Sequence, residues 1–217
     1  MELIFLFGSL CTASSLCFQL VGMQICYGIV KKGSTGDMSP FTFITYFVAC
    51  AVWLKYGLIK NLPVVIAVNA NGSILNFIYT LIFYRYSNKK MQFHRFLFIG
   101  TVMLVSPLFY IEYYQLNQQI AVQNLGLYCV CLTIIGYGAP LVSLVDVIQS
   151  KSTESLSLVL IVANLVVAVI WTVYGGLIDD KYVQAPNFLG AVLALIQLSL
   201  FAIYPSSPPS KSKVIHS

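Results

Sequence analysis

Charge is scarce in this sequence. Only 9% of its 217 residues are Asp, Glu, Lys or Arg, against about a quarter in an ordinary soluble domain. So few charges cannot coat a 24.0 kDa globule in water, and a separate soluble domain is excluded. The net charge of +5 is too small and too scattered for a nucleic-acid surface. The six cysteines, Cys11, Cys17, Cys26, Cys50, Cys129 and Cys131, all fall inside apolar runs, where thiols behave as small hydrophobes. No disulfide framework is expected, and no CxxC pair or Cys/His cluster suggests a metal or other cofactor. An HExxH helix is also missing, and no enzyme activity is expected.

Long apolar runs take the place of charge. A hydrocarbon core of roughly 30 Å needs about 20 such residues per helix. The runs predict an all-α membrane protein with seven spans at 3–30, 41–60, 63–86, 93–114, 125–149, 157–178 and 184–204. The first run lacks a basic leader, with Glu2 its only early charge, and reads as an uncleaved span. The Pro/Ser-rich tail, 206–217, reads as disordered. Odd-numbered spans exit on the side that carries Lys31, Lys32, Arg85, Lys89, Lys90, Arg95, Lys151, Lys211 and Lys213. The other side has Lys60 and Lys181, with Lys55 just inside span 2. This bias places the N-terminus outside and the C-terminus in the cytosol.

Two Trp residues, Trp53 and Trp171, stand 118 positions apart. The same shift superposes Ser34 on Ser152, Thr35 on Thr153, Tyr56 on Tyr174, Gly57 on Gly175, Asn69 on Asn187 and Gly72 on Gly190. Spans 1–3 therefore recur as spans 5–7, with span 4 between them: a first repeat over 1–88, a linker over 89–122 and a second repeat over 123–205. The odd linker gives both repeats the same topology. Parallel repeats of this kind are a transporter signature, with the substrate site between the halves.

Each half carries W-x-x-Y-G near the outer end of its second span, at Trp53–Gly57 and Trp171–Gly175, and an Asn early in its third span. At roughly 1.5 Å per residue, both elements lie about 10 Å below the outer surface. Asn amides offer donors and an acceptor for hydroxyls, and a Trp face offers a flat apolar wall for the C–H face of a sugar. Taken singly, a membrane Asn more often bonds a neighbouring helix, and a Trp near a boundary is as often an interfacial anchor. Recurrence at one offset favours the ligand reading. Gly72 and Gly190 read most simply as sites of close helix packing.

An ion-driven carrier would place ionisable groups deep in the bilayer. Here Asp146 stands near the inner end of span 5 and Glu112 near the outer end of span 4. His94 and His216 are read outside the spans, and Lys55 as snorkelling to the interface. The uncharged middle points to passive movement of a neutral solute. Pro140 can hinge span 5, and its counterpart at the 118 offset is Gly22.

These residues resemble the SWEET sugar transporters, of the wider MtN-three/saliva and PQ-loop group, and the Trp in both halves looks closer to animal than to plant members. The resemblance covers residues 3–204. It rests on the 3+1+3 layout, K-x-x-S-T-x-x-x-S at Lys31–Ser39, KSTESLS at Lys151–Ser157, Y-G-A-P-L at Tyr137–Leu141, both W-x-x-Y-G motifs and both Asn-x-x-Gly pairs. It implies bidirectional, energy-independent passage of sugars by alternating access. The family's sugar-binding Asn pair falls on Asn69 and Asn187, and its paired aromatic or small positions fall on Trp53 and Trp171. The outer gate falls on Tyr56 and Asp180, with Tyr174 at the register of Tyr56, and the hinges on Pro140 and Gly22. The family tends to have four hinge prolines, of which only Pro140 matches here; Gly22, Thr42 and Ser157 occupy the other registers, with Pro40 two residues from one. Expected partners are a monosaccharide such as glucose and the lipid bilayer of the plasma membrane or an endomembrane such as the Golgi. The sequence also admits a homo-oligomer. A PQ-loop relative that exports amino acids or receives cargo would share the repeat, but it would show Pro-Gln pairs and deep carboxylates, absent here. A seven-span receptor would fit the span count but would not explain the duplication.

Overall fold

The computed structural model describes residues 1–113 and 117–205; the expected tail, including His216, lies outside them. Among the described residues there are nine α-helices and no strand. They are α1 (Glu2–Gln19), α2 (Val21–Lys32), α3 (Phe41–Lys60), α4 (Pro63–Tyr86), α5 (Lys90–Tyr113), α6 (Gln118–Gly136), α7 (Gly138–Ser150), α8 (Leu158–Leu177) and α9 (Lys181–Ile203). Taking α1 with α2 and α6 with α7 as broken spans, seven segments are long and apolar enough to cross a bilayer. A helix satisfies its own backbone polar groups, as lipid requires. Hydroxyls inside the spans do the same: Thr12, Thr45, Thr80 and Thr172 each donate to the carbonyl four residues back.

The helix starts differ from the apolar-run boundaries where polar residues cap them. Span 5 begins at Gln118 rather than 125, because Asn117 Oδ1 accepts from the Gln119 and Ile120 amides at 2.9 and 3.3 Å. Such an N-cap satisfies orphan first-turn donors and carries the helix through a stretch too polar to read as membrane. Span 7 begins at Lys181 rather than 184, capped by Asp180, whose Oδ1 accepts from Tyr182 N at 3.0 Å and Val183 N at 3.2 Å. Span 4 begins at Lys90 rather than 93, and His94 stands within the helix, its imidazole exposed near that end beside the Tyr84 ring.

The described chain falls into two compact units, Met1–Thr133 and the part from Ile134 onward. In the first, α3 lies along α4, α1 and α2 also contact α4, and α5 lies on α3. Its core joins Cys26 and Ile29 of α2, Phe43 and Ile44 of α3, Tyr79 and Phe83 of α4, and Phe93 of α5. In the second unit α8 lies along α9, α7 also contacts α9, and Leu144 and Val147 pack on Leu193 and Leu200. The outward faces are apolar, with Phe5, Phe98 and Val159 mostly exposed. That is unsuited to water and suited to lipid.

Both breaks have a local cause. At Leu20 the Met23 amide turns to the Leu20 carbonyl, a three-residue spacing that ends α1. At Tyr137 the amide turns likewise to Ile134 O. Pro140 has no N–H and its ring clashes with the carbonyl four residues back, so the break falls in the turn before the proline.

Candidate functional site

The duplicated motif folds into the same hairpin twice. Leu62 N donates to Gly57 O at 2.9 Å, and 118 residues on, Asp180 N donates to Gly175 O at 2.9 Å. Asn61 and Asp179, at the tips, both adopt the left-handed conformation with φ of 52°. Gly57 and Gly175 let the helices approach: a Cβ on Gly175 would lie 2.7 Å from Gln184 N, and one on Gly57 would lie 3.1 Å from Val65 Cγ1. The turns at the opposite end also repeat. Gly36 N and Glu154 N donate to Ser34 and Ser152 Oγ at 3.1 and 3.3 Å, while Met38 N and Leu156 N donate to Thr35 and Thr153 O.

On this scaffold each Trp meets the Tyr three residues on, one helical turn away. Trp53 and Tyr56 stand edge to face with centroids 5.5 Å apart, and Trp171 and Tyr174 do so at 5.8 Å. Tyr56 and Tyr174 are buried, and so is Trp171; Trp53 is half-buried. Trp53 Nε1 donates to Thr133 Oγ1 at 3.2 Å, and that hydroxyl donates to Cys129 O at 3.0 Å. Thr133 was not among the residues the motifs point to. The 118 offset pairs it with Ser15, a hydroxyl for a hydroxyl, which an identity search passes over.

Asn69 and Asn187 lie six residues after the first residue of α4 and of α9. Each is half-buried. Asn69 Nδ2 donates to Val65 O at 2.8 Å and Asn187 Nδ2 to Val183 O at 2.7 Å. Both bonds stay within the residue's own helix and fix the amide plane. Among the described residues neither side chain bonds a neighbouring helix, so each retains an amide oxygen and a second N–H for hydrogen bonding.

Asp180 is buried while its carboxylate caps α9. Lys55 reaches Glu112 Oε2 at 3.1 Å, tying α3 to the C-terminal end of α5, where simple snorkelling was expected. The pair is partly exposed, and such pairs contribute little to stability. Among the described residues no cluster of His, Cys, Asp or Glu could hold a metal. Each half offers an amide with spare donor and acceptor capacity, an edge-to-face Trp–Tyr pair and a buried phenol.

Comparison with known proteins gives the same duplication. The family described as sugar efflux transporters for intercellular exchange matches twice, over residues 5–91 and 123–209; the two matches start 118 residues apart. "Sugar transporter SWEET1" of Drosophila pseudoobscura pseudoobscura is 39% identical over 86% of this chain and 83% of its own length. The protein of that name in Mus musculus is 31% identical over 95% and 94%. "Bidirectional sugar transporter SWEET13" of Oryza sativa subsp. japonica is 30% identical over 94% of this chain and 70% of its own length. A solved eukaryotic SWEET transporter has the same fold, with a TM-score of 0.81 at 23% identity, over 93% of this chain and 96% of its own. With both repeats matched and the 3+1+3 helical layout in place, a layout for which this family is itself a type example, the chain belongs to the SWEET (MtN3/saliva) family as an animal-type member.

Proposed function

We propose that the chain is a bidirectional, facilitative sugar uniporter that moves a monosaccharide such as glucose by alternating access. The observation that carries this reading is the geometry of Asn69 and Asn187, held at matching positions with hydrogen-bonding capacity unspent on helix packing. In this reading the two amides bind sugar hydroxyls, and Trp53 and Trp171 wall the C–H faces. Tyr56, with Tyr174 at its repeat position, and Asp180 close the outer side through a tyrosine–carboxylate hydrogen bond. Pro140 and Gly22 mark the bending points. The two repeats, 1–88 and 123–205, move about the linker, 89–122. The plasma membrane is the proposed location, with the N-terminus outside and the C-terminus in the cytosol, in accord with the bias of the basic residues.

The uniport reading draws on where charge is placed. Glu2, Lys31, Lys32, Lys60, Arg85, Lys90, Glu112 and Lys181 all stand in first or last turns of helices. Passive flux then follows the sugar gradient alone. Labelled glucose uptake in hexose-transport-deficient cells, competed with a panel of sugars and repeated with a protonophore, tests this. Saturable uptake competed by monosaccharides and indifferent to the protonophore is expected; uptake that collapses with the proton gradient overturns it. Two bulky Trp walls narrow the cavity, so Trp53→Ser is expected to admit a disaccharide that the parent excludes. A variant that gains none removes the steric basis for monosaccharide preference.

A further inference from the structure

Each broken span is bridged to the third span of its own half by one amide and one phenol, and the two groups are exchanged between halves. In the first half Gln19, at the end of α1, donates from Nε2 to Val68 O at 3.0 Å, and Tyr79 of α4 donates its hydroxyl to Gln19 O at 3.1 Å. In the second half Tyr137, at the break, donates its hydroxyl to Pro186 O at 2.7 Å, and Gln197 of α9 donates from Nε2 to Pro140 O at 3.4 Å. Adding 118 takes Gln19 to Tyr137, Val68 to Pro186 and Tyr79 to Gln197. Only one acceptor shifts: Pro140 is the counterpart of Gly22, one turn beyond Gln19.

The backbone explains why a donor is needed. Met23 N has turned to Leu20 O, which leaves the Gln19 carbonyl without its usual helical partner. An unsatisfied carbonyl is costly in lipid, and Tyr79 supplies the missing hydrogen. Three glycines make the bridges sterically feasible. A Cβ on Gly22 would lie 2.7 Å from Tyr79 Cδ2, one on Gly72 would lie 2.8 Å from Gln19 Nε2, and one on Gly190 would lie 2.5 Å from the Tyr137 hydroxyl. The close packing read at Gly72 and Gly190 is thus clearance for these side chains. Gly22, at the register of Pro140, accommodates the Tyr79 ring instead of a pyrrolidine.

We propose that Gln19–Tyr79 and Tyr137–Gln197 are hinge clamps, positioning residues that set the balance between the two access states of the carrier. The proposal rests on the alternating-access reading above. Each clamp uses neutral side-chain hydrogen bonds, individually modest in net strength and so breakable within a transport cycle. The first clamp is also incompletely paired: Gln19 Oε1 is buried with no hydrogen-bond partner among the described residues. That leaves Gln19 an acceptor to offer when span 1 shifts.

Tyr79→Phe and Tyr137→Phe each delete one hydroxyl and keep the ring. In a two-state carrier, the ratio of half-saturation constants for entry and exit follows how the empty protein divides between states. Each variant is expected to move that ratio about five-fold, the change in an equilibrium constant that one ordinary hydrogen bond makes. A residue that serves folding alone would lower the maximal rate in both directions and leave the ratio fixed. A second measurement needs no sugar. Cys50 Sγ and Gln19 Nε2 both lie against Gly72, so loosening the first clamp by Tyr79→Phe is expected to speed Cys50 alkylation, read by peptide mass spectrometry, roughly three-fold or more. Gly22→Ala, whose methyl would displace the Tyr79 ring, is expected to reproduce the Tyr79→Phe phenotype. An unchanged flux ratio in both Phe variants, together with unchanged Cys50 labelling, overturns the clamps. If the parent carries no sugar in either direction, the uniport reading falls, and Cys50 labelling alone decides whether Tyr79 clamps span 1.

Discussion

In the first half the amide is on the broken span and the phenol on the third; in the second half the order is reversed. The hairpins that carry W-x-x-Y-G, by contrast, keep the same Trp, Tyr and Gly and the same backbone bonds, with a left-handed Asn or Asp at the tip. The contrast separates two kinds of constraint. A hairpin bent through a left-handed residue with a glycine contact tolerates few side chains, so the glycine is identical in both halves and the tip stays within Asn and Asp. A bridge between two helices needs only a donor of adequate reach at each end, and Gln and Tyr both qualify. The halves are therefore equivalent in where polar groups are needed and unequal in which groups supply them.

The proposed sugar-binding amides put the equivalence to its hardest test. Asn69→Ala and Asn187→Ala are each expected to reduce sugar uptake to background while surface level and melting temperature stay near the parent's. Among the described residues, each amide bonds only to its own helix, so truncation breaks no cross-helix hydrogen bond. Surface-normalised uptake in the two variants decides it. Equal losses fit a site shared between halves; survival of uptake in one variant would assign the binding to the other half.

The hairpin glycines should show a smaller and unequal effect. Gly175→Ala would drive a methyl against the Gln184 backbone, with contacts of 2.7 and 2.8 Å, whereas Gly57→Ala meets Val65 Cγ1 at 3.1 Å and the Ile66 amide nitrogen at 3.2 Å, a few tenths of an ångström looser. Overpacking costs about 1–3 kcal/mol, with the tighter backbone contact at Gly175 towards the upper end and the looser one at Gly57 towards the lower. Thermal unfolding in detergent should show the second-half variant as the less stable. The reverse order would mean that the α3–α4 hairpin, not α8–α9, is the tighter one.

Much of this was legible in the sequence, and the rest was hidden for identifiable reasons. The seven spans, the 118-residue repeat and the paired motifs follow from hydropathy and identity, signals that survive wherever side-chain choice is narrow. Helix starts at Gln118 and Lys181 were hidden because Asn117 and Asp180 extend helices into polar sequence by capping. The break at Tyr137 was close to the hinge read at Pro140, since a proline disturbs the turn before it. Gln19, Tyr79, Tyr137 and Gln197 were invisible to an identity search because the two pairs are complementary, not identical. Among the helical prolines, Pro186 escaped attention because its counterpart is Val68; only the shared role of their carbonyls relates them.

The smallest expected effect concerns an ion pair whose two positions recur in the second half without charge. Asp37 Oδ1 accepts from Lys89 Nζ at 2.9 Å across the loop ends, and the registers 118 residues on hold Ser155 and Ser207. The Lys89 ammonium, through that hydrogen bond and its charge, holds the Asp37 carboxyl below its ordinary value. A depressed carboxyl stabilises the folded state above the unfolded value, about pH 4, and loses that contribution as pH falls through the lowered folded value. Asp37 is fully exposed, however, and water and salt screen such pairs heavily. Melting curves of the parent and Asp37→Asn, recorded from pH 3 to pH 8, are therefore expected to coincide throughout. A gap above about pH 5 that closes on acidification would show that the ion pair braces the first half in a way the second does without.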